Sequence, residues 1–178
     1  DVVLLAIGEP QNYSGEAQSR TQIVVPAAQQ ALAEAVAGTG KPVVVLLKNG
    51  RALALTGAVR EAGAILVTWF LGSQTGPAIA DVLFGDYNPS GRLPVSFPQD
   101  SGQQPYFYNH PRTGRPELAD QPPAFKARYR EITFEPLYPF GHGLSYTRFA
   151  YSSPRVASTV GWDETIVVSA NVTNTGDI

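Results

Sequence analysis

The chain has 178 residues, 43% of them hydrophobic and 16% charged, a globular balance with room for a sizeable core. A formal charge of −2 leaves no basic stripe to neutralise phosphates, which argues against a nucleic-acid partner. The lack of any cysteine excludes disulfides, thiolate zinc sites and cysteine nucleophiles, and every apolar run is far too short to span a bilayer. Asp1-Val2-Val3-Leu4-Leu5 also lacks the basic start of a signal peptide.

Val2 to Ile7 is a continuous apolar run closed by Gly8, which predicts a strand buried on both faces. Residues 9–22 are polar and contain glycine, so they read as a long loop. Pro26 opens a helix in its first turn, carried by alanines, Leu32 and Val36 as far as Gly38 and Gly40. Val43 to Leu47 predicts a second buried strand, Asn49-Gly50 a turn, and Ala58 to Ala62 a short helical segment. Ala64 to Trp69 is the third strand, and residues 76–84 are helical again. Leu93 to Phe97 alternates like an edge strand in which Pro94 is tolerated. Strand and helix signals in this order predict an α/β fold with a mostly parallel sheet sandwiched by helices over residues 1–98.

Residues 99–143 break the pattern. They are rich in proline and tyrosine and read as an irregular wrapping segment. From residue 144 to 178 the texture turns to short antiparallel strands, Phe149 to Tyr151 and Ile166 to Val172. Two strands do not make a stable sheet alone, so a β-sandwich is expected to open here and to continue beyond the chain.

The stock of chemistry is small. Only two histidines occur, His110 and His142, and no HExxH, Walker or GxSxG sequence appears. Gly8-Glu9-Pro10 puts an anionic side chain where a dinucleotide fold would cradle pyrophosphate, which weakens a nucleotide-binding reading. The loop after the first strand lies where open α/β sheets hold ligands, beyond the carboxyl ends of their strands. It carries Glu9, Tyr13, Ser14, Glu16 and Arg20, an assortment suited to sugar hydroxyls. The plainer alternative makes Glu16 and Arg20, at i and i+4, a solvated pair of little energetic weight. Trp69 is open to core packing or a subsite wall, with the core favoured, while His142 is expected in a turn and Lys48 and Arg51 on the surface.

The order of longer motifs resembles the second domain of family 3 glycoside hydrolases, in their bacterial periplasmic β-glucosidase group. The carriers are Ile7-Gly8-Glu9, Ser14-Gly15-Glu16-Ala17 with Ser19-Arg20, and Gly40-Lys41-Pro42 followed by Asn49-Gly50-Arg51. They continue through Thr68-Trp69-Phe70-Leu71-Gly72, Ala80-Asp81-Val82-Leu83-Phe84-Gly85 and Asn88-Pro89-Ser90-Gly91-Arg92-Leu93-Pro94. The phrase Tyr138-Pro139-Phe140-Gly141-His142-Gly143 resembles the family's entry into a fibronectin III-like domain.

That resemblance implies a retaining exo-β-glycosidase acting on terminal β-D-glucosyl residues, without cofactor or metal. It implies an aspartate nucleophile on an upstream TIM barrel and identifies Glu16 with the acid/base. Tyr13 and Arg20 are expected to touch substrate and Glu9 to orient the loop. It further implies a periplasmic or secreted parent, of which this chain is a fragment that is inactive alone. The family often has a glutamate where Gln74 stands here. A non-catalytic carbohydrate-binding or adhesion module is the alternative.

Overall fold

The computed structural model describes residues 1–111 and 129–178. The chain divides into two compact units, Asp1–Ile79 with Arg92–His142, and Ala80–Gly91 with Gly143–Ile178.

The first unit is α/β. Strand β1 (Val3–Gly8), helix α1 (Ala27–Ala37), strand β2 (Val43–Lys48), helix α2 (Gly57–Arg60) and strand β3 (Ala64–Val67) follow in order. The three strands form one parallel sheet, β1-β2-β3, with Leu5 opposite Val45 and Val45 opposite Ile65. Odd-numbered residues therefore share one face. Leu5, Ile7, Val43, Val45 and Leu47 pack there against Val25, Ala33, Leu53, Leu55, Val59 and Phe97, which makes the core. Removing these side chains from water is the main force holding the layers together.

The opposite face differs from the expectation for β1, since Leu4 and Ala6 are exposed. Continuous apolar sequence reports that both faces are compatible with burial, but only a neighbouring layer completes it. Pro26 stands just before α1, and its carbonyl accepts from the amides of Gln29 and Gln30. Leu93 to Phe97 is not a strand. It makes two separate contacts, Leu93 with Gly141 and His142, and Phe97 with Leu137 and Tyr138. Pro94, lacking an amide hydrogen, breaks any continuous ladder between them.

Within the wrapping segment, the described residues are held by the buried Gln103 side chain. Its oxygen accepts from the Gln99 amide at 2.6 Å and its nitrogen donates to the carbonyls of Thr133 and Glu135. Much of the predicted 99–143 segment, residues 112–128, lies outside the described residues.

Helix α3 (Thr75–Phe84) runs from the first unit into the second. In the second unit, Asn88 Oδ1 accepts from the Tyr146 amide and the Tyr146 hydroxyl donates to the Val82 carbonyl. Strand β4 (Phe149–Tyr151) pairs antiparallel with β7 (Val172–Asn174), and β5 (Arg155–Val156) with β6 (Val168–Ser169). The single strand expected over Ile166 to Val172 is thus two short ones with different partners. Among the described residues, no helix is long and apolar enough to cross a membrane.

Candidate active site

The loop after β1 starts from two fixed points. The Gly8 amide donates to Gln29 Oε1 of α1 at 2.6 Å, and the Glu9 amide donates to the Lys48 carbonyl. Gly8 has φ +146°, and a Cβ there would lie 1.7 Å from the Lys48 carbonyl oxygen. Only glycine lets the two strand ends meet this closely. Residues Gln11–Tyr13 then form one turn of 3₁₀ helix.

The next turn carries Glu16. The Gln18 amide bonds the Gly15 carbonyl, placing Glu16 and Ala17 at the two central positions. Ala17 sits at φ +58°, a left-handed conformation that costs a non-glycine residue about 1–2 kcal/mol. Glu16 is exposed on this turn and makes no hydrogen bond or ion pair among the described residues. Strain of this kind persists only where surrounding contacts over-determine the backbone.

Those contacts converge on Glu9, whose side chain is completely buried. Arg20 Nη1 lies 2.7 Å from its Oε1, and Arg51 Nε lies 3.3 Å from its Oε2. Two guanidinium groups compensate the desolvated carboxylate, as a buried charge requires. Arg20 also lies over the Tyr13 ring, 4.5 Å from its centroid, a cation–π contact. The Arg51 Nη2 donates to the carbonyls of Tyr13 and Gln18, on either side of the Glu16 turn. Asn49, fully buried, donates to the Arg51 carbonyl at 2.7 Å and holds the base of that side chain.

The charged side chains of the loop after β1 are thus distributed in a particular way. Glu9 faces inward and Glu16 outward. Arg20 pairs with Glu9 and not with Glu16, because the chain between them is a turn and not a helix. Arg51 corrects the sequence expectation of a surface charge, since it is an inner member of the site. The parallel register held the missing signal. Gly8 lies opposite Lys48, so the residues that follow β2 emerge at the same sheet edge as the loop after β1.

Beside this loop is a cleft of about 640 Å³, bordered by Gly50, Arg51, Trp69, Ser96, Gln104 and Tyr106 among others. Trp69 stands at φ +51° and its ring tilts against Phe97 at 6.0 Å, so it is both core and cleft wall. Burial raises the Tyr106 hydroxyl above its ordinary value of 10.0, with the charges of Glu135 and Tyr129 adding to the effect. It stays a neutral hydrogen-bonding group through the physiological range. His142 stacks on Tyr138 at 5.0 Å in a turn, as expected. Gln74 closes a 3₁₀ turn ahead of α3.

A parallel sheet with a strained, carboxylate-bearing loop at its carboxyl edge and an aromatic cleft beside it makes this unit an α/β domain of the open, parallel class. The chain belongs to glycosyl hydrolase family 3, whose C-terminal domain matches residues 1–146. It is 51% identical over 177 residues to a periplasmic beta-glucosidase of Salmonella typhimurium, covering 99% of this chain and 23% of that protein. It is 41% identical over 179 residues to a beta-xylosidase of Formosa agariphila, covering 100% of this chain and 24% of that one. The crystal structure of a beta-glucosidase from Listeria innocua superposes with a TM-score of 0.93 at 42% identity, over 100% of this chain and 25% of that chain. This chain thus spans about a quarter of the length of the relatives it matches.

Proposed function

We propose that this chain supplies the acid/base carboxyl, Glu16, of a retaining exo-β-glycosidase that removes terminal non-reducing β-D-glucosyl residues. One observation carries the reading. The loop holds two carboxylates, and Glu9 is consumed by two internal ion pairs while Glu16 is presented to the outside on a tight turn. A group that exchanges protons with substrate needs that exposure until a companion surface closes over it.

In this reading an aspartate on an upstream TIM barrel attacks the anomeric carbon while Glu16 gives its proton to the departing glycosidic oxygen. The aglycone leaves as an alcohol and a glycosyl-enzyme ester remains. The Glu16 carboxylate then takes a proton from water as that water attacks the anomeric carbon, which frees the sugar with its configuration retained. Carboxyl groups in such pairs lie about 5–5.5 Å apart, so a loop from a neighbouring domain is a sufficient carrier. Tyr13 and Arg20 border the bound sugar, residues 144–178 open a fibronectin III-like domain, and the parent protein is exported to the periplasm or beyond. Without its barrel the chain is inactive.

Replacing Glu16 with Ala in the full-length enzyme tests this. Glycosylation by a substrate with a good leaving group should be spared, deglycosylation should slow, and azide should yield a β-glycosyl azide. Unchanged kinetics with no azide product would remove Glu16 from the mechanism. Turnover of an aryl β-glucoside by these 178 residues alone would overturn the need for a barrel. Glycan binding that ignores the Glu16 substitution, in a protein without hydrolytic activity, would favour a carbohydrate-binding module.

A further inference from the structure

We propose that Arg51 is a positioning residue that clamps the turn bearing Glu16, and that the buried Glu9 carboxylate aims its guanidinium. The inference rests on reading Glu16 as the acid/base. Three features converge on it. Arg51 Nη2 reaches the carbonyls of Tyr13 and Gln18, the residues just outside the four-residue stretch from Ser14 to Ala17. One planar group thereby ties both ends of the turn to the segment after β2. Its Nε lies 3.3 Å from Glu9 Oε2 with no hydrogen bond between them, so a charge fully removed from solvent holds the guanidinium from behind by electrostatic attraction alone. The third feature is Gly50, next in the chain to Arg51, which leaves room for the turn to sit down. A Cβ on Gly50 would lie 1.9 Å from Ser14 Oγ and 2.9 Å from Phe70 Cε2.

A guanidinium does this and an ammonium does not. The fork presents several N–H groups in one fixed plane, so one face can meet Glu9 while another bridges two carbonyls. The clamp also explains how Ala17 is kept at φ +58° on an exposed loop. A proton donor displaced by as little as 1 Å loses about 100-fold in rate, so holding the turn is holding the chemistry.

The test uses Arg51→Lys and Arg51→Ala in the full-length enzyme, with Glu16→Ala alongside. The substrates are phenyl and 2,4-dinitrophenyl β-glucosides. Phenolate departure needs a proton and dinitrophenolate departure does not. Both Arg51 variants should lose about 100-fold in kcat/KM on the phenyl glucoside and far less on the dinitrophenyl one. Added guanidinium should restore the phenyl glucoside reaction of Arg51→Ala. Amide hydrogens of residues 14–18 should exchange faster than in the parent. Arg51→Lys keeps a cation beside Glu9, so it supplies the comparison if Arg51→Ala does not fold. A folded Arg51→Lys enzyme with full phenyl glucoside activity, or with equal losses on both substrates, would overturn the clamp. If Glu16→Ala shows the leaving-group signature and Arg51→Lys does not, the clamp alone falls. If Glu16→Ala lacks it, the acid/base reading falls and takes the clamp with it.

Discussion

Glu9 and Arg20 are joined by a 2.7 Å ion pair in which the carboxylate is wholly buried while the guanidinium keeps about a quarter of its surface exposed. The asymmetry makes the two partners unequal. Glu9→Gln removes the charge that both guanidinium groups pair with, and is expected to cost about 3 kcal/mol of unfolding free energy. Arg20→Ala leaves Arg51 still beside Glu9 and should cost about 1 kcal/mol. Urea unfolding of both variants checks the order. Equal losses would show that Arg51 does not share the charge.

Gly8→Ala is expected to be among the most damaging single changes. Its Cβ would meet the Lys48 carbonyl oxygen at 1.7 Å, a backbone atom fixed by the strand register. The left-handed φ of +146° adds strain to the clash. A loss of about 3 kcal/mol or more is expected, read as a lowered denaturation midpoint.

Glu34 links α1 to the start of α2, accepting from the Ala58 amide at 2.9 Å and from Gln30 Nε2 at 2.8 Å. The Ala58 hydrogen bond first, and the Gln30 bond second, hold its carboxyl below the ordinary value of 4.5. A depressed carboxyl contributes stability that is complete above the unfolded value and lost as pH falls through the folded one. Glu34→Gln should therefore flatten part of the fall in melting temperature below pH 4.5, and leave that dependence unchanged above it. Melting temperatures of the two proteins across the acid range decide the matter.

Phe97 is fully buried between Trp69 and Tyr138, with ring centroids 6.0 and 6.3 Å away. Phe97→Ala empties the centre of the core, and a loss of about 3–5 kcal/mol is expected. Because Trp69 also borders the cleft, its fluorescence should shift to the red in the folded variant. A loss below about 1 kcal/mol would mean that Trp69 and Tyr138 close the gap.

The fold was legible where one physical signal dominated. Val2 to Ile7 and Val43 to Leu47 are apolar and β-branched enough to specify strands, although the first is buried on one face only, and the alanines between them specify a helix. Leu93 to Phe97 misled because alternation is only a local pattern, whereas pairing needs a continuous row of amides that Pro94 interrupts. Residues Ile166 to Val172 misled in a related way, since which strand each half pairs with is not encoded in hydropathy.

Glu16 was legible from the order of motifs around it, and Glu9 from its place at a strand end. Arg51 was not, because a charged residue after Asn-Gly looks like any solvated turn. By itself the sequence determined the parallel α/β alternation, the family, and the two carboxylates of one loop. Only the tertiary structure decided which carboxylate faces inward and which arginine grips the turn. Local composition sets what each segment prefers, but a buried charge is tolerated only where partners from distant segments meet it, and that meeting depends on register and burial in three dimensions.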